Sequence, residues 1–245
     1  MLTAPCLPDF PASRIDDPRL REVFVSSLEE QKTLQPGQAV LLGFPIDEGV
    51  RRNGGRIGAA GGPDAIRAWL YRLTPIDAPS GLDIRNVQPL DWGNLRPLRS
   101  LEESQRALGQ VVGHILGEGA VPIVLGGGHE TAFGHFLGYC DAGLGPVIVN
   151  LDAHLDVRPT VGGLGTSGTT FRQAMQYDSD PLGPGGYACL GLQPQSISRD
   201  HWEFCRQRGD ILITAEEMRG HCAEMFARTC TAFEQFGRPI YLSVD

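Results

Sequence analysis

The run Val147-Ile-Val-Asn-Leu-Asp152-Ala-His154-Leu-Asp156 carries the densest chemistry in the chain. An apolar stretch leads directly into two carboxylates and an imidazole at alternating positions, and in extended backbone residues two apart project to the same side. Ionised Asp152 and Asp156 cannot share a partly buried crevice without compensation, because like charges in low dielectric repel strongly. A divalent cation supplies that compensation. The plainer alternative is a solvated polar loop in which His154 caps a neighbour; the position immediately after a buried strand favours metal.

A second segment, Val121-Pro-Ile-Val-Leu-Gly126-Gly-Gly-His129-Glu130, repeats the plan of buried strand, glycine turn and helix start. A Gly-rich turn at a helix N-terminus can cradle an anion. This one has neither the Lys-Ser/Thr of a P-loop nor the GxGxxG spacing, so phosphate is the weaker reading. His129 is then the first side chain to project into the crevice, a further ligand at the edge that carries Asp152. Ser243-Val-Asp245 would place one more carboxylate at the same edge. Two histidines and three aspartates from three strand ends form a borderline N/O donor set suited to Mn²⁺, Co²⁺, Fe²⁺ or Zn²⁺, with no thiolate. So many carboxylates favour two ions bridged by Asp152 or Asp245, about 3.5–4 Å apart in the common two-metal pattern.

The frame that must position these groups is legible as short apolar runs alternating with amphipathic stretches from about Gln38 onward, the βαβα signature of a mostly parallel sheet. Strands are expected at Ala39–Gly43, Ile84–Leu90, Val121–Leu125, Val147–Leu151, Ala188–Gly191, Ile211–Thr214 and Ile240–Val244. Most lack polar alternation, as strands buried on both faces do. Helices are expected at Pro63–Leu73, Leu101–Gly117, Glu130–Tyr139, Ser198–Arg208 and Ala215–Phe236, covering both faces. Residues 1–37 read as an N-terminal arm, and residues 38–245 as one α/β domain. Thr160–Gly186, rich in Gly, Ser and Thr, is too long for an ordinary connection and reads as a functional loop.

Composition narrows the partners. With 21 Lys and Arg against 29 Asp and Glu, the net charge of −8 and the absence of a basic run exclude a nucleic-acid or anionic-membrane surface. Small molecules, cations and other subunits remain. The six cysteines show no metal-type or disulfide spacing and read as reduced cytosolic thiols. No signal-like N-terminus or long apolar span is present, so a soluble, cytoplasmic protein is expected.

Gly126-Gly-Gly-His-Glu130, Asn150-Leu-Asp-Ala-His-Leu-Asp156 and Ser243-Val-Asp245 resemble the three metal-binding signatures of the ureohydrolase family, which comprises arginase, agmatinase and formimidoylglutamase. Gly43-Phe-Pro-Ile-Asp-Glu-Gly-Val-Arg-Arg-Asn-Gly-Gly-Arg-Ile-Gly-Ala-Ala-Gly-Gly-Pro63 resembles the family's first loop, so the similarity runs from about residue 38 onward. The resemblance implies a three-layer α/β/α fold of the arginase type with two Mn²⁺ per subunit in the complete family member, and homo-oligomers. His129, Asp152, Asp156 and Asp245 would hold one ion; His154, Asp152 and Asp245 would hold the other. A hydroxide activated by both ions would attack an amidine or guanidine carbon, which leaves no side chain assigned as the nucleophile.

Arginase and agmatinase carry a histidine in the loop after DAHxD. Here that loop reads Gly165-Thr-Ser167-Gly-Thr-Thr-Phe171, which resembles the SSGTPF pattern of formimidoylglutamases. The implied reaction is cleavage of N-formimidoyl-L-glutamate to L-glutamate and formamide, in histidine degradation. Its two carboxylates would be met by cationic and polar groups, for which Arg158, Ser167 and Asn53 are the candidates; Arg51 and Arg52 are as readily ordinary surface. An agmatinase or other guanidino-acid hydrolase is the alternative within the same chemistry, and a catalytically silent fragment or pseudoenzyme the alternative of another class. The family's third signature continues as SxDxDxxDP, so the resemblance implies a C-terminally truncated chain. It would lack the last strand and helices, with a gap in the sheet between the third and seventh strands.

Overall fold

The computed structural model describes residues 2–14, 16–26, 33–178 and 181–245. Its seven principal strands are β1 (Ala39–Phe44), β2 (Leu90–Leu95), β3 (Val121–Gly126), β4 (Val147–Leu151), β5 (Tyr187–Leu192), β6 (Ile211–Thr214) and β7 (Ile240–Val244). Neighbouring principal strands pair in parallel in two sheets. One runs β2-β1-β3 and the other β6-β5-β4-β7. Apart from Asn150, the side chains of β4 and β5 are apolar on both faces because helices cover both, as parallel sheets require.

The helices are α1 (Glu48–Arg52), α2 (Gly62–Leu70), α3 (Leu101–Gly117), α4 (Thr131–Asp141), α5 (Thr170–Met175), α6 (Arg199–Arg208), α7 (Ala215–Met218) and α8 (Cys222–Glu234). Helix α3 starts where Ser100 Oγ accepts the Glu103 amide, and it packs Leu108 and Val112 against Leu42, Phe44 and Leu95 of the first sheet. Helices α3 and α4 cross closely over glycine: a Cβ on Gly138 would stand 2.3 Å from Val112. In the second sheet, Phe136, Ile148, Phe171 and Tyr187 fill one face, and Val147, Val149, Leu190 and Phe233 the other. Fully burying an apolar side chain contributes about 1.5–3 kcal/mol, so these clusters fix the strand ends that matter below.

Three expectations need correction. Ile84–Val87 is a 3₁₀ turn, with Asp83 accepting the Arg85 amide and Gln88 at φ 45°; the strand is Leu90–Leu95. Its polar Asp91 and Asn94 are buried because Arg67 of α2, itself fully buried, donates to both, with Nε and Nη2 reaching Asp91 at 2.8 and 3.0 Å. The expected helix Ala215–Phe236 is two helices, broken where Gly220 takes φ 78°. Thr160–Gly186 is not a loop throughout: Thr166 and Thr169 cap each other reciprocally and launch α5.

The N-terminal arm lies against the first sheet. Leu2–Thr3 pairs antiparallel and Val25–Ser26 parallel with β2. Met1, Ile15 and residues 27–32 of the arm, and residues 179–180 of the long loop, lie outside the described residues. The expected gap between the third and seventh principal strands is present: β3 and β7 edge separate sheets, and among the described residues no strand joins them.

Candidate metal centre

Strands β4 and β7 run parallel, and the residues that follow them meet those that follow β3 at one edge. Asp152 follows β4, its amide donating to Leu190 of β5, and Asp245 follows β7, its amide donating to Leu151. His129 stands after the turn that leaves β3. The turn's glycines are required by space: a Cβ on Gly127 would meet the Ile46 carbonyl at 2.1 Å, and one on Gly128 the Glu130 carboxylate at 2.0 Å.

His129, Asp152, Asp156 and Asp245 form one group, with one ligand atom from each lying within 4.8 Å of the others. The His129 Nδ1 faces all three carboxylates, at 2.7 Å from Asp156, 3.3 Å from Asp245 and 3.4 Å from Asp152. Its Nε2 lies 2.9 Å from Ser243 Oγ. If the serine accepts the Nε2 proton, the Nδ1 lone pair is free for a cation, which is how an outer hydrogen bond selects a metal-binding tautomer.

The four groups are strongly coupled electrostatically. Burial pushes the His129 pKa down, yet hydrogen bonds to Asp152, Asp156 and Asp245 outweigh it and raise it well above the usual imidazole value. Burial raises the Asp156 carboxyl against the pull of His129, with Asp152 and Asp245 adding repulsion. Asp152 is also pushed up by burial, but His129, the His154 amide and Asn150 together hold it below the ordinary carboxylate range. The donor set, one neutral imidazole and three carboxylates, fits a divalent ion of borderline character such as Mn²⁺. Asp156 also adopts φ 47°, a left-handed backbone uncommon outside glycine and concentrated at functional sites.

His154 stands apart from this group. It is 55% exposed, with Nδ1 3.4 Å from Asp152 Oδ1, on the rim of a cleft of about 590 Å³. The three residues expected to meet substrate form a hydrogen-bonded chain on the wall of that cleft. Arg158 Nη1 donates to Asn53 Oδ1 at 3.0 Å, and Asn53 Nδ2 to Ser167 Oγ at 3.2 Å. Neither Arg51 nor Arg52 lines the cleft: Arg51 pairs with Glu48, while Arg52 ties α1 to Glu102 of α3 and to the Gly165 carbonyl.

Sequence reasoning missed three participants. Ser243 gives no local signal, because its partner lies 114 residues away. Asn150 braces Asp152 from within β4, at 3.1 Å. His201, in the first turn of α6, opens onto the cleft; burial pushes its pKa down, and Arg158 and Arg172 reinforce the shift. Cys189 is fully buried and donates to the His154 carbonyl, with burial pushing its thiol far up.

Comparison with known proteins agrees with this geometry. The chain is 46% identical over 159 residues to formimidoylglutamase of Geobacillus thermodenitrificans, an alignment that covers 63% of this chain and 46% of that one. It is 37% identical over 240 residues to formimidoylglutamase of Salmonella newport, covering 94% and 71%. The structure of Trypanosoma cruzi formiminoglutamase with Mn²⁺ superposes with a TM-score of 0.82 at 33% identity, over 94% of this chain and 75% of that one. Agmatine ureohydrolase of Thermoplasma volcanium shares the fold, with a TM-score of 0.69 at 23% identity. The arginase-family profile matches residues 37–245, so the chain, with its mostly parallel α/β sheet and its aspartate-histidine cluster, belongs to the arginase family.

Proposed function

We propose that the chain is a manganese-dependent hydrolase of a linear amidine that carries two carboxylates, with N-formimidoyl-L-glutamate as the substrate. The observation that carries this reading is the Arg158–Asn53–Ser167 chain facing the acidic cluster across one cleft. A guanidinium on the wall attracts a substrate tail that ends in carboxylates and repels agmatine, whose tail is an ammonium. The relatives named formimidoylglutamase support the same choice.

Manganese, bound, supplies Lewis acidity and lowers the pKa of water to near neutral. His129, Asp152, Asp156 and Asp245 would hold one ion, and Asp152, His154 and Asp245 a second. Ser243 and Asn150 keep His129 and Asp152 in the orientation that offers their lone pairs inward. Arg158 orients the carboxylate end so that the amidine carbon faces the cluster, and Asn53 and Ser167 hold the guanidinium in place.

No helix among the described residues is long and apolar enough to cross a membrane. The free cysteines support a reducing cytoplasm, and the exposed Trp69 and Ile66 on α2 support contact between copies in a homo-oligomer. The test of the substrate is direct. With Mn²⁺ present, formimidoylglutamate should be hydrolysed in preference to agmatine and arginine, and Arg158→Met should raise KM for it by at least about tenfold. Faster turnover of agmatine would replace the reading with an agmatinase.

A further inference from the structure

Glu130 follows the ligand His129, and its side chain is fully buried with no cation against it. Its Oε1 accepts the Gly49 amide at 2.6 Å, an amide in the first turn of α1. Its Oε2 has no hydrogen-bond partner among the described residues. Gly49 and Gly128 press against this carboxylate from two sides, since a Cβ on either would come within 2.8 Å of a Glu130 side-chain atom. The Glu130 carbonyl is in turn held by Gln105 Nε2 of α3 at 2.8 Å.

The expense of a buried carboxylate calls for a reason. A carboxyl oxygen at a helix start satisfies an amide that has no partner within the helix, and it does so here although burial pushes the Glu130 pKa up. Here the capped helix is only five residues long and has no stability of its own. Its far end carries Asn53, which holds Arg158 and Ser167. The side chain that fixes where α1 begins therefore fixes where Asn53 ends.

We infer that Glu130 is a positioning residue that couples the metal-ligand turn to the substrate wall, setting Asn53 and hence Arg158 by capping α1. The consequence rests on the reading of Arg158 as the carboxylate contact, but the coupling itself does not. Arg52, anchored to Glu102 and the Gly165 carbonyl, holds the far end of the same helix. Loss of the Glu130 contact would therefore be felt first at Gly49 and Val50 and then at Asn53.

Hydrogen exchange of residues 47–53 in Glu130→Ala and Glu130→Gln tests the coupling without any substrate. Protection of this segment should fall at least about fivefold in Glu130→Ala. It should largely return in Glu130→Gln, whose side-chain oxygen can still accept the Gly49 amide. Kinetics on formimidoylglutamate then read the consequence: KM should rise in Glu130→Ala with kcat at saturation and Mn²⁺ affinity little changed, and Glu130→Gln should restore KM. Unchanged exchange in Glu130→Ala would overturn the coupling, as would a fall in Mn²⁺ affinity or kcat in place of the rise in KM. If Glu130→Ala does not fold, full protection of residues 47–53 in Glu130→Leu would overturn it equally. Failure of the wild-type chain to hydrolyse formimidoylglutamate would strike the substrate reading and leave the exchange result standing.

Discussion

Strands β3 and β7 build two adjoining regions of opposite character. At their C-terminal ends they deliver His129 and Asp245 to a cluster in which Ser243 bonds to His129 and Asn150 to Asp152. Along their lengths they face each other without pairing, across a groove lined by Val121, Ile123, Ile240 and Leu242, all partly exposed. In the groove wall the buried His135 has no partner for Nε2 among the described residues and lies tilted against Tyr241, ring centroids 4.5 Å apart. The first region is ordered by charge and hydrogen bonds that converge from distant segments; the second leaves backbone edges and apolar side chains unmatched. Ligand convergence therefore does not depend on lateral pairing. Each strand is held by its own sheet, and the contacts of His129 with Ser243 and Asp245 link the two sheets at one end.

The largest effect should come from the cluster. Asp152→Ala removes a carboxylate that touches both proposed ion positions, and hydrolysis should fall by at least about 10²-fold. Assay at saturating Mn²⁺ checks this, and wild-type turnover would remove Asp152 from the site. Metal should next act as a staple between the sheets. At a free concentration about 100 times Kd, Mn²⁺ should stabilise the fold by about 2.7 kcal/mol. At about 2–4 °C per kcal/mol for a chain of this size, that is a rise in Tm of about 5–10 °C. Calorimetric titration should show one tight site, because four residues already converge, and a second, weaker one that relies on the exposed His154.

The groove predicts a smaller effect with a definite sign. Burial pushes His135 down to about 3 from 6.5, so the fold requires its neutral form. Its contribution is fully present above pH 6.5 and is lost as pH falls toward 3, by up to about 1.4 kcal/mol per pH unit. The facing rings of Tyr139 and Tyr241 carry no charge in that range. His135→Phe should flatten the urea midpoint between pH 6.5 and 4.5 relative to wild type; parallel curves would show that the groove does not sense pH. Smallest of all, Val121→Lys and Ile240→Lys place charge on the exposed edges at the end away from the ligands. Stability should change by about 0.5 kcal/mol or less, while apolar-dye binding and light scattering should decrease.

The sequence made the strands that carry the cluster readable because each is an apolar run ending in a distinctive polar motif, and β3, β4 and β7 start at the expected residues. Strand β2 was displaced in that reading because Asp91 and Asn94 look like surface until Arg67, from a separate helix, is seen to neutralise and bond them. Helix α5 was hidden in a Gly/Ser/Thr stretch whose capping exchange is visible only in three dimensions. In the site the four clustering side chains, His129, Asp152, Asp156 and Asp245, were legible as candidates, whereas the Arg158–Asn53–Ser167 chain joins residues 105 and 114 apart. Local patterns report what a segment can do alone. Positioning groups such as Ser243 and Glu130 are defined by partners that only the fold supplies.

Anomalous diffraction at the manganese edge, from crystals of the chain grown with Mn²⁺, tests the account most directly. A strong peak should lie against His129 Nδ1 and the carboxylates of Asp152, Asp156 and Asp245, and it should vanish in Asp152→Ala. An empty cluster at saturating Mn²⁺, or a peak that excludes His129, would contradict the claim that these strand ends converge to hold the metal.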